Sequence, residues 1–125
     1  MSTEFPITIF HNPDCGTSRN ALAMIEAAGY APTVVEYRKV GWTRSQLEGL
    51  FAAMGATPRA LLREKEPIYA ELDLANPRWS DEELLEQIER NPILLNRPIV
   101  VTEKGAALCR PADKVLELLP GSAGA

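Results

Sequence analysis

Two short segments rich in β-branched and aromatic residues, about 20 residues apart, constrain the fold of this chain more than any other feature. They are Ile7–Phe10 and residues 33–37, and both have the composition of a β-strand. Between them, from Thr17 to Gly29, apolar residues recur with the spacing of one helix face. A helical connection of this length favours a parallel crossover over a hairpin. The sequence therefore predicts a β-α-β unit.

The middle of the chain is predicted to be helical. Thr43 and Ser80 are each followed three residues later by a glutamine or a glutamate, the pattern of a capping box at a helix start. Gly55 is well placed to end the first of these helices. Residues 58–74 are predicted to form short helical turns.

The last part of the chain is predicted to form a hairpin and a closing helix. Residues 98–102 and 107–110 have strand composition and flank a turn around Lys104-Gly105. Pro111 is acceptable in the first turn of the helix that follows. The apolar face of this helix is predicted to be Val115, Leu118 and Leu119. Residues 121–125 are predicted to be a disordered tail.

The order of the elements, β-α-β followed by helices and then β-β-α, is typical of a thioredoxin-like fold. We therefore predict an α/β protein with a four-stranded mixed sheet flanked by helices, and with a helical insertion before the C-terminal hairpin. A chain of 125 residues is long enough for one core and too short for two. A single domain over residues 1–125 is expected.

Charge and hydropathy argue against two classes of partner. The net charge of −4 gives no basic surface for nucleic acid or anionic lipid. No apolar run approaches the roughly 18 residues needed to span a bilayer, and residues 1–6 lack the segments of a signal peptide. We expect a cytoplasmic protein that binds neither nucleic acid nor membranes, with both of its cysteines reduced.

Cys15 is the candidate nucleophile, because it is placed in a loop at the predicted N-terminus of a helix. The positive end of a helix stabilises a thiolate and lowers its pKa. Gly16 leaves room for an anion, and the hydroxyls of Thr17 and Ser18 are expected to donate to the sulfur. His11 would add positive charge or accept a proton. The alternative is a cysteine that only packs in the core, but the polar neighbours of Cys15 disfavour it.

Residue spacing excludes several other kinds of site. Ser18 stands where a Cys-x-x-Cys dithiol would have its second cysteine. Ala21 stands where the phosphate loop of the low-molecular-weight phosphatases would have its arginine. One histidine and two distant cysteines do not form a zinc site, so no metal is expected. Cys109 alternates with Ala107 along the predicted last strand and is expected to be a buried structural residue.

Three arginines are candidates for binding an oxyanion, because a guanidinium group bonds two oxygens at once. Arg97 precedes the third predicted strand and Arg110 ends the fourth, so both are expected near Cys15 at one end of the sheet. Arg63 closes a predicted helical turn. For each of them the alternative is a solvated surface arginine.

These residues lie in four blocks that together resemble the glutaredoxin-dependent arsenate reductases. The blocks are residues 11–20, 59–63, 96–101 and 108–111, and the likeness runs in order over residues 7–119. Four blocks with matching spacing are far more specific than a single motif.

The resemblance implies the thioredoxin-like fold and a role for each matching residue. The implied nucleophile is Cys15, the implied arsenate-binding residues are Arg63, Arg97 and Arg110, and the implied supports of the thiolate are His11 and Ser18. Pro98 matches a proline that is usually cis in thioredoxin-like proteins. The resemblance also implies arsenate as substrate, glutathione as co-substrate, glutaredoxin as partner protein, and no bound cofactor.

Two alternative functions remain open. Some relatives with this architecture are transcription regulators that contact RNA polymerase and use a Cys-x-x-Cys switch, which Ser18 removes here. The second alternative is a glutathione-linked thiol oxidoreductase that acts on a substrate other than arsenate.

Overall fold

The computed structural model describes residues 5–120 and divides them between two compact units. The first unit contains residues 5–36 and 97–120, and the second contains Tyr37–Asn96. The predicted disordered tail, residues 121–125, lies outside the described residues, as does most of the segment searched for a signal peptide. The expected single domain stays a prediction.

The described residues form strands, α-helices and short 3₁₀-helices in the predicted order. The strands are β1 Ile7–Phe10, β2 Thr33–Val35, β3 Ile99–Thr102 and β4 Gly105–Leu108. The α-helices are α1 Gly16–Ala27, α2 Tyr37–Val40, α3 Arg44–Met54, α4 Pro67–Glu71 and α5 Asp81–Arg90. The 3₁₀-helices are Arg59–Leu61, Pro92–Leu94 and Ala112–Leu118.

The sheet belongs to the first unit and has the strand order β2-β1-β3-β4. β1 pairs with β2 in parallel and with β3 in antiparallel orientation, and β3 pairs with β4 in antiparallel orientation. These pairings confirm the predicted four-stranded mixed sheet. Phe10 lies opposite Ile99, which lies opposite Leu108. The segments that follow β1, precede β3 and follow β4 therefore meet at one end of the sheet.

The core of the first unit lies between the sheet, α1 and the last 3₁₀-helix. Ala21 and Ile25 are one helical turn apart on α1 and have no exposed surface, because an i, i+4 pair shares one face of a helix. The three residues predicted for the closing helix are all buried. The core consists of Ile7, Ile9, Ala21, Ile25, Val100, Cys109, Ala112, Val115, Leu118 and Leu119.

The predicted second strand is too long by two residues. β2 ends at Val35, and the chain begins the short helix α2 at Tyr37. The Tyr37 side chain is only 1% exposed, and its ring stacks on that of Trp42 with the centroids 5.2 Å apart. Packing of this aromatic pair overrides the β-propensity of an isolated tyrosine.

The last strand begins and ends two residues earlier than predicted. β4 is Gly105–Leu108 because Gly105, with φ 136°, pairs with Thr102 instead of lying in the turn. The turn therefore consists of residues 103–104. Arg110 follows the strand instead of ending it, which corrects its predicted place.

The closing helix is a 3₁₀-helix, Ala112–Leu118, and Pro111 is its N-cap residue. The peptide bonds before Pro98 and before Pro111 are both cis. The cis isomer at Pro98 is the one that the family resemblance implies.

The second unit confirms both predicted capping boxes. The Thr43 hydroxyl accepts from the Gln46 N–H at the start of α3, and Ser80 does the same with Glu83 at the start of α5. Gly55 ends α3 with φ 62°, a left-handed conformation that glycine adopts without steric cost. The predicted helical turns over residues 58–74 are also present.

Candidate active site

Cys15 ends the loop after β1 and is the N-cap residue of α1. Its backbone is extended, with φ −98° and ψ 120°, and its side chain is half-buried. The first N–H groups of a helix have no partners inside the helix and carry partial positive charge. Those of Thr17 and Ser18 interact with the sulfur. Cys15 therefore lies at the N-terminus of a helix, as predicted.

Asn12 shapes this loop, although the sequence indicated it only as a turn former. Its carbonyl oxygen accepts from the Cys15 N–H at 3.0 Å, and its Oδ1 accepts from the Asp14 N–H at 2.9 Å. Its own N–H donates to the Ser18 Oγ at 3.1 Å. The residue is only 2% exposed. Asn-Pro-Asp is a signal that could have revealed this role, because asparagine readily bonds the N–H two residues later.

The pKa of the Cys15 thiol lies below its usual value. Partial burial alone would raise it, because burial disfavours the charged form. Hydrogen bonding from the Ser18 N–H, the Arg110 guanidinium and the Thr17 N–H, together with the charge of Arg110, outweighs that effect. The local environment therefore favours a thiolate.

Arg110 lies beside the sulfur. Its Nη1 is 3.6 Å from the Cys15 Sγ and donates to the Arg97 carbonyl oxygen at 2.9 Å. The second bond fixes the guanidinium group next to the thiol without neutralising it. Sheet register explains the contact, because the residues after β4 and those after β1 lie at the same end of the sheet.

Arg97 lies at this end of the sheet too, directly before the cis peptide bond to Pro98. It is 6% exposed, which is rare for arginine and indicates a specific place inside the fold. Its carbonyl oxygen accepts the hydrogen bond from the Arg110 Nη1. Substrate binding by its side chain stays a prediction.

Arg63 belongs to the second unit, where it follows the 3₁₀-helix Arg59–Leu61. Its Nη1 donates to the Asn96 Oδ1 at 3.3 Å, and its Nε lies 3.5 Å from the Glu66 carboxylate. Its N–H donates to the Leu94 carbonyl oxygen at 2.7 Å. The structure thus brings Arg97 and Arg110 of the first unit together, and the substrate contact implied for Arg63 stays a prediction.

His11 and Ser18 form a buried hydrogen-bonded pair, with 2.6 Å between the His11 Nδ1 and the Ser18 Oγ. Ser18 is fully buried and His11 is 5% exposed. Burial lowers the pKa of His11 and Arg19 lowers it further, although Glu36 opposes them. His11 is therefore held toward its neutral form, which disfavours the positive charge considered for it.

The expected donation from the Ser18 hydroxyl to the sulfur is corrected by the structure. The hydroxyl bonds His11 and the Asn12 N–H, and the Ser18 backbone N–H interacts with the sulfur instead. Ser18 thus connects the thiol to the buried histidine through its backbone and side chain together.

Cys109 is fully buried, as predicted, although β4 ends one residue before it. Its Sγ lies 3.7 Å from the Ala107 carbonyl oxygen, and burial raises its pKa to about 12. Both cysteines are free thiols, so they differ in exposure and acidity and not in bonding.

Cys15 is expected to react at a lower pH than an ordinary cysteine. Its thiolate persists below the usual pKa, so the rate of alkylation by iodoacetamide should reach half of its maximum below about pH 8.5. Mass spectrometry of the Cys15 peptide measures this rate as a function of pH. The same peptide from protein unfolded in urea is the control and should titrate at the usual value. Identical midpoints in folded and unfolded protein would contradict the environment described above.

Outside the surroundings of Cys15, the described residues show few other features that indicate a function. Within residues 5–120 no three histidine, cysteine or acidic side chains are grouped so that they could hold a metal ion. No helix in that range has the length and hydropathy needed to cross a membrane. A surface cleft of about 320 Å³ in the second unit is lined by Arg78, Trp79 and Glu83, none of which is a candidate site residue.

Residues 10–118 match the family model described as the ArsC family. The chain is 56% identical over 117 residues to the arsenate reductase ArsI1 of Synechocystis sp., covering 94% of this chain and 81% of that protein. It is 51% identical over 114 residues to an arsenate reductase of Escherichia coli K12, covering 91% and 81% respectively.

Among solved structures, the arsenate reductase from Vibrio cholerae superposes with a TM-score of 0.88. Sequence identity to it is 38%, and the superposition covers 92% of this chain and 98% of that chain. The fold and the sequence likeness therefore point to the same group of proteins.

Proposed function

This chain belongs to the ArsC family, and we propose that it reduces arsenate to arsenite with Cys15 as the nucleophile. One observation carries the proposal. The Cys15 Sγ lies at the start of α1, 3.6 Å from the Arg110 Nη1, with its pKa below the usual value. A thiolate beside a guanidinium group combines a nucleophile with an attraction for oxyanions. Relatives more than 50% identical are named arsenate reductases, which supports arsenate as that oxyanion.

In the first proposed step the Cys15 thiolate attacks arsenic(V). A sulfur–arsenic bond forms, an arsenic–oxygen bond breaks, and that oxygen takes up protons and leaves as water. The proposed anion-binding residues are Arg63, Arg97 and Arg110, whose guanidinium groups would offset the charge of the anion. The oxidation state of arsenic does not change in this step.

The second step requires a thiol from outside the chain. The sequence has two cysteines, and Cys109 is buried with its pKa raised to about 12, which leaves it unable to attack. The proposed co-substrate is glutathione. Its sulfur attacks the Cys15 sulfur, the sulfur–arsenic bond breaks, and the electron pair stays on arsenic as arsenic(III). The products are arsenite and a mixed disulfide of Cys15 and glutathione.

Glutaredoxin is the proposed partner that restores Cys15. Its thiol attacks the glutathione sulfur of the mixed disulfide, and Cys15 leaves as a thiolate. The low pKa of Cys15 favours this departure, because a more acidic thiol is a better leaving group. Two thiols supply the two electrons of each turnover. The route uses no bound metal, flavin or nucleotide, and the reducing compartment it requires is the cytoplasm.

Arsenate-dependent turnover is expected to require both proposed donors. NADPH consumption coupled through glutathione reductase is measured with arsenate, glutathione and glutaredoxin, and each component is then omitted in turn. Omitting arsenate or glutathione should stop the reaction. Omitting glutaredoxin should leave one glutathione bound to Cys15 per protein, visible by intact-protein mass spectrometry.

Other outcomes would favour the alternative functions. Glutathione-linked turnover of another substrate, with none of arsenate, would indicate a different thiol oxidoreductase. Binding to RNA polymerase without reductase activity would indicate a regulator. The regulator is disfavoured because position 18 holds a serine, buried and bonded to His11, instead of a second switch cysteine.

A further inference from the structure

The guanidinium group of Arg19 is fixed beside the loop that leads from β1 to Cys15. Its Nη1 donates to the Pro13 carbonyl oxygen at 2.8 Å, which ties the guanidinium group to the segment before Cys15. A Cβ atom built on Gly16 would lie 3.7 Å from the Arg19 Nη2, so the group rests against the residue that follows Cys15. Consecutive Cα atoms are about 3.8 Å apart, and the guanidinium group therefore lies close to the cysteine.

The Arg19 guanidinium has no carboxylate as a salt-bridge partner within the described residues 5–120. Its one hydrogen bond among these residues is to the neutral carbonyl of Pro13. Other arginines of this chain do have such partners: Arg44 pairs with Glu82 and Glu89, and Arg90 pairs with Glu86. Arg19 is exposed, yet its charge is felt at the buried His11, whose pKa it lowers. Of its five N–H donors, one is used in the bond to Pro13.

We infer that Arg19 is a binding site for a carboxylate of the small thiol that attacks at Cys15. The inference rests on the proposed function, which requires an external thiol, and it adds the place where that thiol is held. Glutathione carries two carboxylates, and the planar fork of arginine matches a carboxylate with two parallel hydrogen bonds. Arg19 has donors to spare, and its bond to Pro13 restrains the group before the ligand arrives, which reduces the entropy lost on binding.

Under this inference Arg110 binds the arsenate, and Arg19 binds a carboxylate of the attacking thiol. Arg110 contacts the sulfur, whereas Arg19 is exposed and is bonded to the segment before Cys15. A thiol bound through a carboxylate at Arg19 would direct its sulfur toward the Cys15 sulfur. An oxyanion is the other ligand that shares this chemistry, so the experiment must separate carboxylate from arsenate.

Alkylation of Cys15 tests the site without any turnover. Iodoacetate and iodoacetamide react with the same thiolate, but only iodoacetate carries a carboxylate, so the ratio of their rates cancels any change in thiol pKa or access. Arg19→Gln should lower the iodoacetate-to-iodoacetamide ratio by about threefold to fivefold, the upper part of the range for an exposed ion pair. In Arg19→Lys the ratio should lie between the values for wild type and Arg19→Gln. An unchanged ratio in Arg19→Gln would overturn the inference.

Lys114→Gln is the matched control. It removes one positive charge from an exposed position of the same unit, on the last 3₁₀-helix, and should leave the ratio at the wild-type value. An equal fall in the control would mean that overall charge, and not Arg19, selects the carboxylate, and would also overturn the inference.

Steady-state kinetics then separate the two ligands. Arg19→Gln should raise the KM for glutathione by about threefold to fivefold and leave the KM for arsenate unchanged. A raised KM for arsenate alone would assign Arg19 to the oxyanion and overturn the carboxylate site. Absence of arsenate turnover in wild-type protein would contradict the proposed function, whereas the alkylation ratio would still test Arg19.

Discussion

Cys15→Ser is expected to abolish arsenate reduction, lowering turnover by a factor on the order of 10³ or more. A serine hydroxyl has a far higher pKa than a thiol, so the donors around position 15 do not ionise it at neutral pH. The variant would also have no sulfur for glutathione to attack, and the two-electron transfer to arsenic would have no route. The NADPH-coupled assay with glutathione and glutaredoxin measures the loss.

The second cysteine supplies the control for this experiment. Cys109→Ala removes a thiol that is fully buried in the core, so it should keep most of the activity and lose stability, by about 1 kcal/mol. Activity in Cys15→Ser comparable to that of wild type would exclude Cys15 as nucleophile. Loss of activity in folded Cys109→Ala would mean that the buried thiol takes part in the chemistry.

Arg110→Gln is expected to lower kcat/KM for arsenate by about 10²-fold to 10³-fold. The substitution removes the charge 3.6 Å from the Cys15 Sγ, which stabilises the thiolate and which we propose also binds the anion. The pKa of Cys15 should rise, because the guanidinium is one of the groups that lower it. The pH dependence of iodoacetamide alkylation measures this second effect independently of turnover.

Two further variants show which property of Arg110 matters. Arg110→Lys keeps the charge but loses the planar guanidinium group, whose Nη1 contacts both the sulfur and the Arg97 carbonyl oxygen, so its activity should lie between those of wild type and Arg110→Gln. Arg90→Gln is the control, since Arg90 is an exposed arginine paired with Glu86 on α5. Equal activity of Arg110→Gln and wild type would remove Arg110 from the site.

Structures set by neighbouring residues were predictable from the sequence. The capping boxes at Thr43 and Ser80 depend on hydrogen bonds between residues three positions apart, and both are present. Where tertiary packing competes with propensity, the predicted boundaries were wrong. β2 stops early because Tyr37 begins a helix, is buried and stacks on Trp42. The closing segment keeps its predicted buried residues although it is a 3₁₀-helix.

The candidate site likewise has features that the sequence predicted and features that it did not. The position of Cys15 at a helix N-terminus was predictable, because strand, loop and helix follow one another in the chain. The hydrogen bonds inside the loop were missed, since Asn12 and the Ser18 hydroxyl each had several plausible local partners and only the folded loop selects among them.

By itself the sequence determined the order of the elements, the resemblance to one family and the thiol that begins a helix, because all three depend on residue type and short spacing. The tertiary structure decided which of the two arginines expected near that thiol contacts the sulfur, Arg110, 95 residues away, and that His11 is held toward its neutral form. The contact arises from the pairing of β1, β3 and β4, and the loss of charge from burial. Both are set by chain segments far apart in sequence, which no local pattern of residues encodes.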